Sequence, residues 1–336
     1  MTVLITGGAG FIGSNFIPYF LDQHKNFHVV NLDKLTYAGE LSNLKEVEKN
    51  ERYTFVKGDI CDRVLIESLF DTYDFKSVIH FAAESHVDKS IEKPDDFIKT
   101  NVLGTFNLID VAKNNWMDAP FKVKKGYEEC RFHHISTDEV YGTLGKTGLF
   151  TEDTPYAPNS PYSASKASSD FVVRSYFHTF GLNVVTTNCS NNYGPKQHDE
   201  KLIPTIIRKA IEGEDIPIYG DGTNVRDWLY VLDHCVGIDL AYQKGTSGEV
   251  YNIGGKNEHN NLHIANTICN ILDEILPKKS SYSKQITFVK DRPGHDFRYA
   301  IDASKIESEL GWKASENFET GIRKTVHWYV NKYSKS

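Results

Sequence analysis

The sequence has little with which to cross-link itself, enter a bilayer or hold a nucleic acid. Its five cysteines, Cys61, Cys130, Cys189, Cys235 and Cys269, are odd in number, widely spread and form no C-x-x-C pair. That argues against a disulfide framework and for reduced, mostly buried thiols in a cytosolic, cytoplasmic chain. No zinc-type histidine spacing occurs, and no metal site is expected. His133 and His134 are neighbours on a strand-like run, so they point to opposite faces and are expected to be structural. No apolar run approaches the ~18 residues of a membrane span. The chain opens at once on apolar Val3-Leu4-Ile5, with no charged region or cleavage site ahead of it, so no secretory signal is expected. With a net charge of −7, a broad nucleic-acid-binding surface is excluded, while a local basic pocket for phosphate is not. No repeat of 20–50 residues is visible.

What is present is ordinary globular material: 336 residues, 40% hydrophobic and 25% charged, ample for a large core. Strand-like runs fall at 3–6, 28–33, 54–58, 77–82, 132–136 and 183–188, with helical patterns at 11–23, 62–70, 95–115 and 162–180 between them. Strands separated by helices predict an α/β fold with a parallel sheet covered on both faces. After Gly194 the pattern loosens, with helices expected near 202–212, 232–242, 262–275 and 318–331 and a short strand at 250–253. We expect residues 1–194 to form mainly a dinucleotide domain and 195–336 mainly a smaller mixed α/β substrate lobe, with segments crossing back. Residues 117–130 and 277–284 read as polar surface loops, and 332–336 as a fraying end.

The first strand runs into Gly7-Gly8-Ala9-Gly10-Phe11-Ile12-Gly13 and then a helix. Glycines here allow a tight turn and close approach of backbone to a pyrophosphate, which the helix N-terminus then faces. Asp33 ends the second strand, where a carboxylate accepts from the adenine ribose hydroxyls and repels a 2′-phosphate; NAD is therefore expected rather than NADP. The sheet is accordingly expected to be Rossmann-type and doubly wound. A glycine turn alone could be only a turn, but strand, glycines, helix and acid stand in register. Asp59, at the end of the third strand, could face the adenine or simply close a turn.

Ser160-Pro161 predicts a helix start, with Ser as N-cap and Pro in the first turn. Tyr162 and Lys166 then lie one turn apart on one face. A phenol of pKa near ~10 is a weak base, but an adjacent ammonium and a positive nicotinamide ring would favour its phenolate. Tyr162 could then take a proton from a sugar hydroxyl. The run Ile135-Ser136-Thr137-Asp138-Glu139 ends an apolar strand in a hydroxyl and two carboxylates. At the C-terminal end of a parallel strand, such acids could divide the work, one protonated and one ionised.

The spacing of Gly7, Gly10 and Gly13, with Tyr162-Ser-Ala-Ser-Lys166, resembles the extended short-chain dehydrogenase/reductase superfamily. Within it, Thr137-Asp138-Glu139 resembles the dTDP-glucose 4,6-dehydratases. So do His80-Phe81-Ala82-Ala83-Glu84-Ser85-His86-Val87-Asp88, Asn188-Cys189-Ser190-Asn191-Asn192-Tyr193-Gly194-Pro195, Arg226-Asp227-Trp228-Leu229-Tyr230-Val231, Tyr251-Asn252-Ile253-Gly254-Gly255 and Asp291-Arg292-Pro293-Gly294-His295. The resemblance covers nearly the whole chain. Related 4-epimerases and decarboxylases are not expected to carry the Asp-Glu pair.

The resemblance implies a lyase in which tightly bound NAD is recycled within each turnover. Tyr162 would take the C4 hydroxyl proton as hydride leaves C4, and Thr137 would steady the C4 oxygen. Glu139 would remove the C5 proton, and Asp138 would protonate the departing C6 hydroxyl. The product, a 4-keto-6-deoxy sugar, would feed deoxysugar biosynthesis such as that of rhamnose. Besides Gly7, Gly10, Gly13, Tyr162 and Lys166, the NAD site would include Phe11, Ile12, Asp33, Lys34, Thr36, Asp59, Ile60, Ala82, Ala83, Ser85, Thr100 and Asn192. The nucleotide-diphospho-sugar would meet Ser85, Thr137, Asn191, Lys201, Leu202, Pro217, Tyr219, Arg226, Asn261, Arg292 and His295. Arg226 and Arg292 suit the diphosphate, since a guanidinium binds phosphate oxygens in pairs; Arg226 could equally pair locally with Asp227 or another acid. The resemblance further implies a homodimer through a four-helix contact of the helices expected at 95–115 and 162–180. Thymine and uracil differ by one methyl, worth about 1–3 kcal/mol, so a UDP-glucose dehydratase, a nucleotide-sugar 4-epimerase and a non-catalytic NAD sensor stay open at this point.

Overall fold

The computed structural model describes residues 1–291 and 296–334. Seven strands form one parallel sheet: β1 (Thr2–Thr6), β2 (His28–Asp33), β3 (Tyr53–Lys57), β4 (Ser77–His80), β5 (Arg131–Thr137), β6 (Val184–Cys189) and β7 (Val250–Ile253). Their order across the sheet is β7-β6-β5-β4-β1-β2-β3. β1 is apolar on both sides because both faces of the sheet are covered, while β5 and β6 also bury polar residues such as His133, His134 and Thr187. Val3 and Ile5 meet Phe16, Ile17, Cys235 and Ile238 from helices Phe11–Gln23 and Val231–Lys244. Leu4, one residue out of phase, joins Ile66, Leu108 and Val173 from helices Arg63–Tyr73, Thr105–Trp116 and Pro161–Phe180 on the opposite face. The architecture is a Rossmann-type α/β sandwich. Winding reverses between β1 and β4, which leaves a crevice at the carboxyl ends of these strands.

A second lobe packs helices Leu202–Glu212, Asn261–Ile275 and Phe318–Tyr333 around Ile203, Ile206, Ile264, Ile268 and Ile322. Strand Ile216–Tyr219 pairs with Ile286–Val289, and Val225–Tyr230 pairs with Asn191–Tyr193, Glu258–Asn260 and Arg298–Tyr299. The chain crosses back from this half of the sequence. β7 edges the large sheet, and Ile306, Leu310 and Trp312 join the core beneath Phe16 and Ile238.

Two expectations need correction. The single helix expected at 95–115 is interrupted: Pro94–Phe97 is α, Ile98–Gly104 widens into a π-helix, and Thr105–Trp116 resumes as α. Widening turns Asn101 inward, where its amide donates to Glu84 O at 3.0 Å and Ser165 Oγ at 2.8 Å and accepts from Glu84 N at 2.8 Å. A buried polar side chain with three partners outweighs the regular helical period. The stretch 117–130 is not wholly loop either, since Met117–Ala119 and Lys122–Val123 form a short hairpin. His133 and His134 are both fully buried and hydrogen-bonded, to Thr187 and Asp170 respectively.

Candidate active site

The crevice is a cavity of about 320 Å³ lined by both lobes, within the ordinary range for a small-molecule site. Its floor is the glycine turn. Gly7 has φ +73°, and a Cβ there would stand 2.6 Å from the Ala82 backbone nitrogen. A Cβ on Gly13 would stand 2.6 Å from Gly7 O. Helix Phe11–Gln23 starts at Gly10 with no side-chain cap, so its first-turn N–H groups are open to an anion. Asp33 ends β2 and accepts from Ala9 N at 2.9 Å and Leu35 N at 2.8 Å. It therefore ties the turn in place as well as lining the cavity. Burial raises its carboxyl above the usual value, against those two N–H groups. Each oxygen keeps a lone pair for a ribose hydroxyl. An uncapped helix end, a turn without room for Cβ and an acid at the strand end fit a dinucleotide.

Every residue expected to contact NAD lines this one cavity. Lys34 and Asp59 pair with each other at 2.7 Å, and Asp59 also accepts from Cys61 N at 2.9 Å, so it closes a turn and faces the site at once.

The catalytic candidates converge from β5 and one helix. β5 ends at Thr137, whose hydroxyl accepts from Glu139 N at 3.3 Å and caps the 3₁₀ turn Asp138–Tyr141. Helix Pro161–Phe180 starts as expected, with a reciprocal Ser160–Ser163 capping box and Pro161 in the first turn. Tyr162, Lys166, Thr137, Asp138 and Glu139 all line the cavity. Asp138 is 2% exposed, and its Oδ2 has no partner among the described residues. Burial first, then Glu139 and Asp227, hold its carboxyl well above the usual range, which favours the protonated form.

Tyr162 departs from expectation. Burial and then the Glu139 carboxylate hold its phenol well above its ordinary value, with the Thr137 hydroxyl pulling the other way. Lys166 does not overcome this: its Nζ donates to Ile135 O at 2.8 Å, and burial weakens its own hold on a proton. The chain alone therefore keeps the phenol protonated, and a further positive charge is needed to release the proton.

Of the expected substrate contacts, Ser85, Thr137, Asn191 and Lys201 line the cavity, and Lys201 Nζ donates to Ser85 O at 3.0 Å. Leu202, Pro217, Tyr219, Arg226 and Asn261 belong to the second lobe and do not line this cavity. Arg292 and His295 lie outside the described residues. Arg226 donates to Val225 O and Asp296 O at 2.7 and 2.9 Å and covers the Tyr299 ring. Asp227 instead accepts from Gly255 N and Asn257 N at 2.9 and 2.7 Å. Neighbours on a strand face opposite ways, so Arg226 and Asp227 make these separate contacts. Motif reading missed Asn101 and a bridge across the cavity mouth. There Glu200 meets Lys89 at 3.3 Å, His86 at 3.6 Å and His198 at 3.7 Å, while Lys89 covers the Tyr37 ring. The bridge joins two short segments, 86–89 and 198–200, that lie more than a hundred residues apart, so no local spacing flags it.

Fold and site together define a dinucleotide-dependent enzyme of the extended short-chain dehydrogenase/reductase class. A family model described as GDP-mannose 4,6 dehydratase matches residues 4–325. A dTDP-glucose 4,6-dehydratase of Shigella flexneri is 54% identical, over 98% of this chain and 93% of its own. The crystal structure of dTDP-glucose 4,6-dehydratase from Bacillus anthracis in complex with NAD superposes with a TM-score of 0.87 at 46% identity, covering 99% of this chain and 98% of that one. The Streptomyces venezuelae enzyme, also with NAD bound, gives a TM-score of 0.90 at 42% identity, covering 100% and 98%. The chain belongs to this 4,6-dehydratase family, and within it to the dTDP-glucose 4,6-dehydratases.

Proposed function

We propose that this chain converts dTDP-glucose to dTDP-4-keto-6-deoxyglucose and water, with NAD held and regenerated in each turnover. The observation that carries the reading is a buried Asp138, its Oδ2 unpartnered among the described residues, beside Glu139, Thr137 and Tyr162 in the same cavity as the glycine turn. The chemistry NAD supplies when bound is a reversible hydride acceptor, serving C4 first and C6 last, and its positive ring adds the charge that Tyr162 needs. Tyr162 accepts the C4 hydroxyl proton, and Thr137 donates a hydrogen bond to the C4 oxygen. The C4 ketone acidifies C5–H, and Glu139 accepts that proton; a proton exchanged with solvent returns to C5 as C6 is reduced. Asp138 delivers its proton to the C6 hydroxyl, which leaves as water. A carboxyl kept protonated by burial is suited to this donation. Lys166 holds the site cationic beside Tyr162. Ser85, Asn191 and Lys201 meet the nucleotide-sugar in the cavity, and Arg226 and its neighbours in the second lobe hold the diphosphate end.

The working form is a homodimer. Ile98, Leu103 and Phe106 are 47%, 54% and 40% exposed on one helical stretch, and Phe171 is 57% exposed on the helix packed beside it. A second copy would cover this apolar stripe. We place the enzyme in the cytoplasm, where its five free thiols stay reduced. No described helix is long and apolar enough to cross a membrane.

The test is incubation with dTDP-glucose, and separately with UDP-glucose, in heavy water. A 4-keto-6-deoxy product carrying solvent deuterium at C5 is expected, faster from dTDP-glucose. A galactose-configured product, or no turnover, overturns the reading.

A further inference from the structure

We propose that Asp170 is a positioning residue of this site, the buried counter-charge that keeps Lys166 in its charged form. The proposal rests on Lys166 acting as the cation beside Tyr162. Tyr162, Lys166 and Asp170 recur every four residues on helix Pro161–Phe180, so they share one face. Lys166 is 4% and Asp170 5% exposed. Lys166 Nζ donates to Ile135 O at 2.8 Å and stands 3.5 Å from His134 Nε2. The same ring nitrogen stands 3.0 Å from Asp170 Oδ1, the geometry of an N–H donating to a carboxylate. Asp170 Oδ2 accepts from Ser136 Oγ at 2.9 Å and Tyr156 Oη at 3.0 Å.

A carboxylate given three donors is arranged to be ionised, although Asp170 does not itself line the cavity. An ammonium buried without an opposing charge would lose its proton. Burial lowers the pKa of Lys166, and the Asp170 charge is the leading influence against that fall. Burial lifts the Asp170 carboxyl to about 6, with Lys166, Ser136 and Tyr156 pulling it back. Above that pH the Asp170 carboxyl is ionised and faces Lys166 as a negative charge. The other groups facing Lys166 are His134 from β5, His80 from β4, Cys189 from β6, and Tyr162 on its own helix. Both histidines are held neutral by burial, and the Cys189 thiol is pushed upward by burial too. None of them supplies a full negative charge at neutral pH.

The experiment compares holoenzyme kcat/KM profiles for dTDP-glucose. Asp170→Asn keeps the size and removes the charge. Its alkaline limb is expected to move acidward by about one pH unit, the low end for opposite charges this close, with about tenfold loss above that limb. Asp170→Glu should restore part of the shift. A folded Asp170→Asn protein with the parent limb overturns the proposal. The second measurement needs neither substrate nor that variant: carboxyl-¹³C aspartate NMR of the full chain, with and without Lys166→Met. Removing the ammonium should raise the Asp170 titration by about one unit, by the reciprocity of linked sites. An unmoved titration overturns the proposal even if Asp170→Asn does not fold. If the parent itself fails to turn over dTDP-glucose, the dehydratase reading falls, and the NMR comparison still decides for or against the Asp170–Lys166 coupling.

Discussion

Gly13→Ala tests the dinucleotide cradle most directly. The added Cβ would lie 2.6 Å from Gly7 O and 2.7 Å from Gly8 Cα, both backbone atoms. Ordinary contact begins near 3.4 Å, so the turn and the helix must part by about 0.8 Å. Little there can yield. Gly7 N donates to Leu32 O at 2.9 Å and Gly10 N to Gly7 O at 3.2 Å. Gly8 N is held by Asn31 at 3.1 Å and Ala9 N by Asp33 at 2.9 Å. Forcing a methyl into such a fit costs about 1–3 kcal/mol. If that cost falls on the bound state, NAD affinity drops about 5- to 150-fold. The assay is calorimetric titration of NAD into stripped enzyme, with the NAD-dependent rise in Tm as a second readout. Each tenfold loss of affinity removes about 1.4 kcal/mol of ligand stabilisation. Gly145→Ala is the control, because nothing lies within 4 Å of its Cβ. Parent-like affinity and Tm shift in Gly13→Ala, to within twofold, would refute the geometric argument.

Glu139→Gln is expected to permit C4 oxidation but slow water loss by about 10²–10⁴-fold. Single-turnover absorbance of reduced nicotinamide, with mass spectrometry of the product, checks this, and full-rate product formation counts against Glu139 as base. Asp138→Asn addresses stability as well as donation. Because the folded chain holds the Asp138 proton more tightly than the unfolded chain, that contribution is complete below pH ~4 and is lost as pH rises through the raised value. The variant lacks it, so its stability relative to the parent should grow between acid and alkaline pH. Denaturant unfolding at pH 5 and 8 reads the difference, and a constant difference contradicts a raised carboxyl. Leu103→Glu puts a charge into the exposed apolar stripe; light scattering at micromolar concentration should show monomer, and an intact dimer would place the interface elsewhere.

Much of the site was legible because its chemistry is local in sequence. The turn from Gly7 to Gly13, the strand end at Thr137-Asp138-Glu139 and the spacing from Tyr162 to Lys166 each lie within a few residues. Backbone geometry of one turn, one strand end or one helical repeat sets what they can do. The alternation that sends Val3 and Ile5 to one face and Leu4 to the other was equally readable, because strand pleat has a period of two. Protonation and partnership were not legible. Burial near Glu139 raises both the Asp138 carboxyl and the Tyr162 phenol, and burial is set by elements distant in sequence. The π-helical break at Asn101, the meeting of Glu200 with Lys89 and the approach of His134 to Lys166 and Asp170 bring together elements that no spacing rule connects. Sequence by itself determined the residue types, the strand and helix periods and the cofactor class. Tertiary packing decided which charges survive in the site, because desolvation and opposing charge depend on what the fold brings alongside.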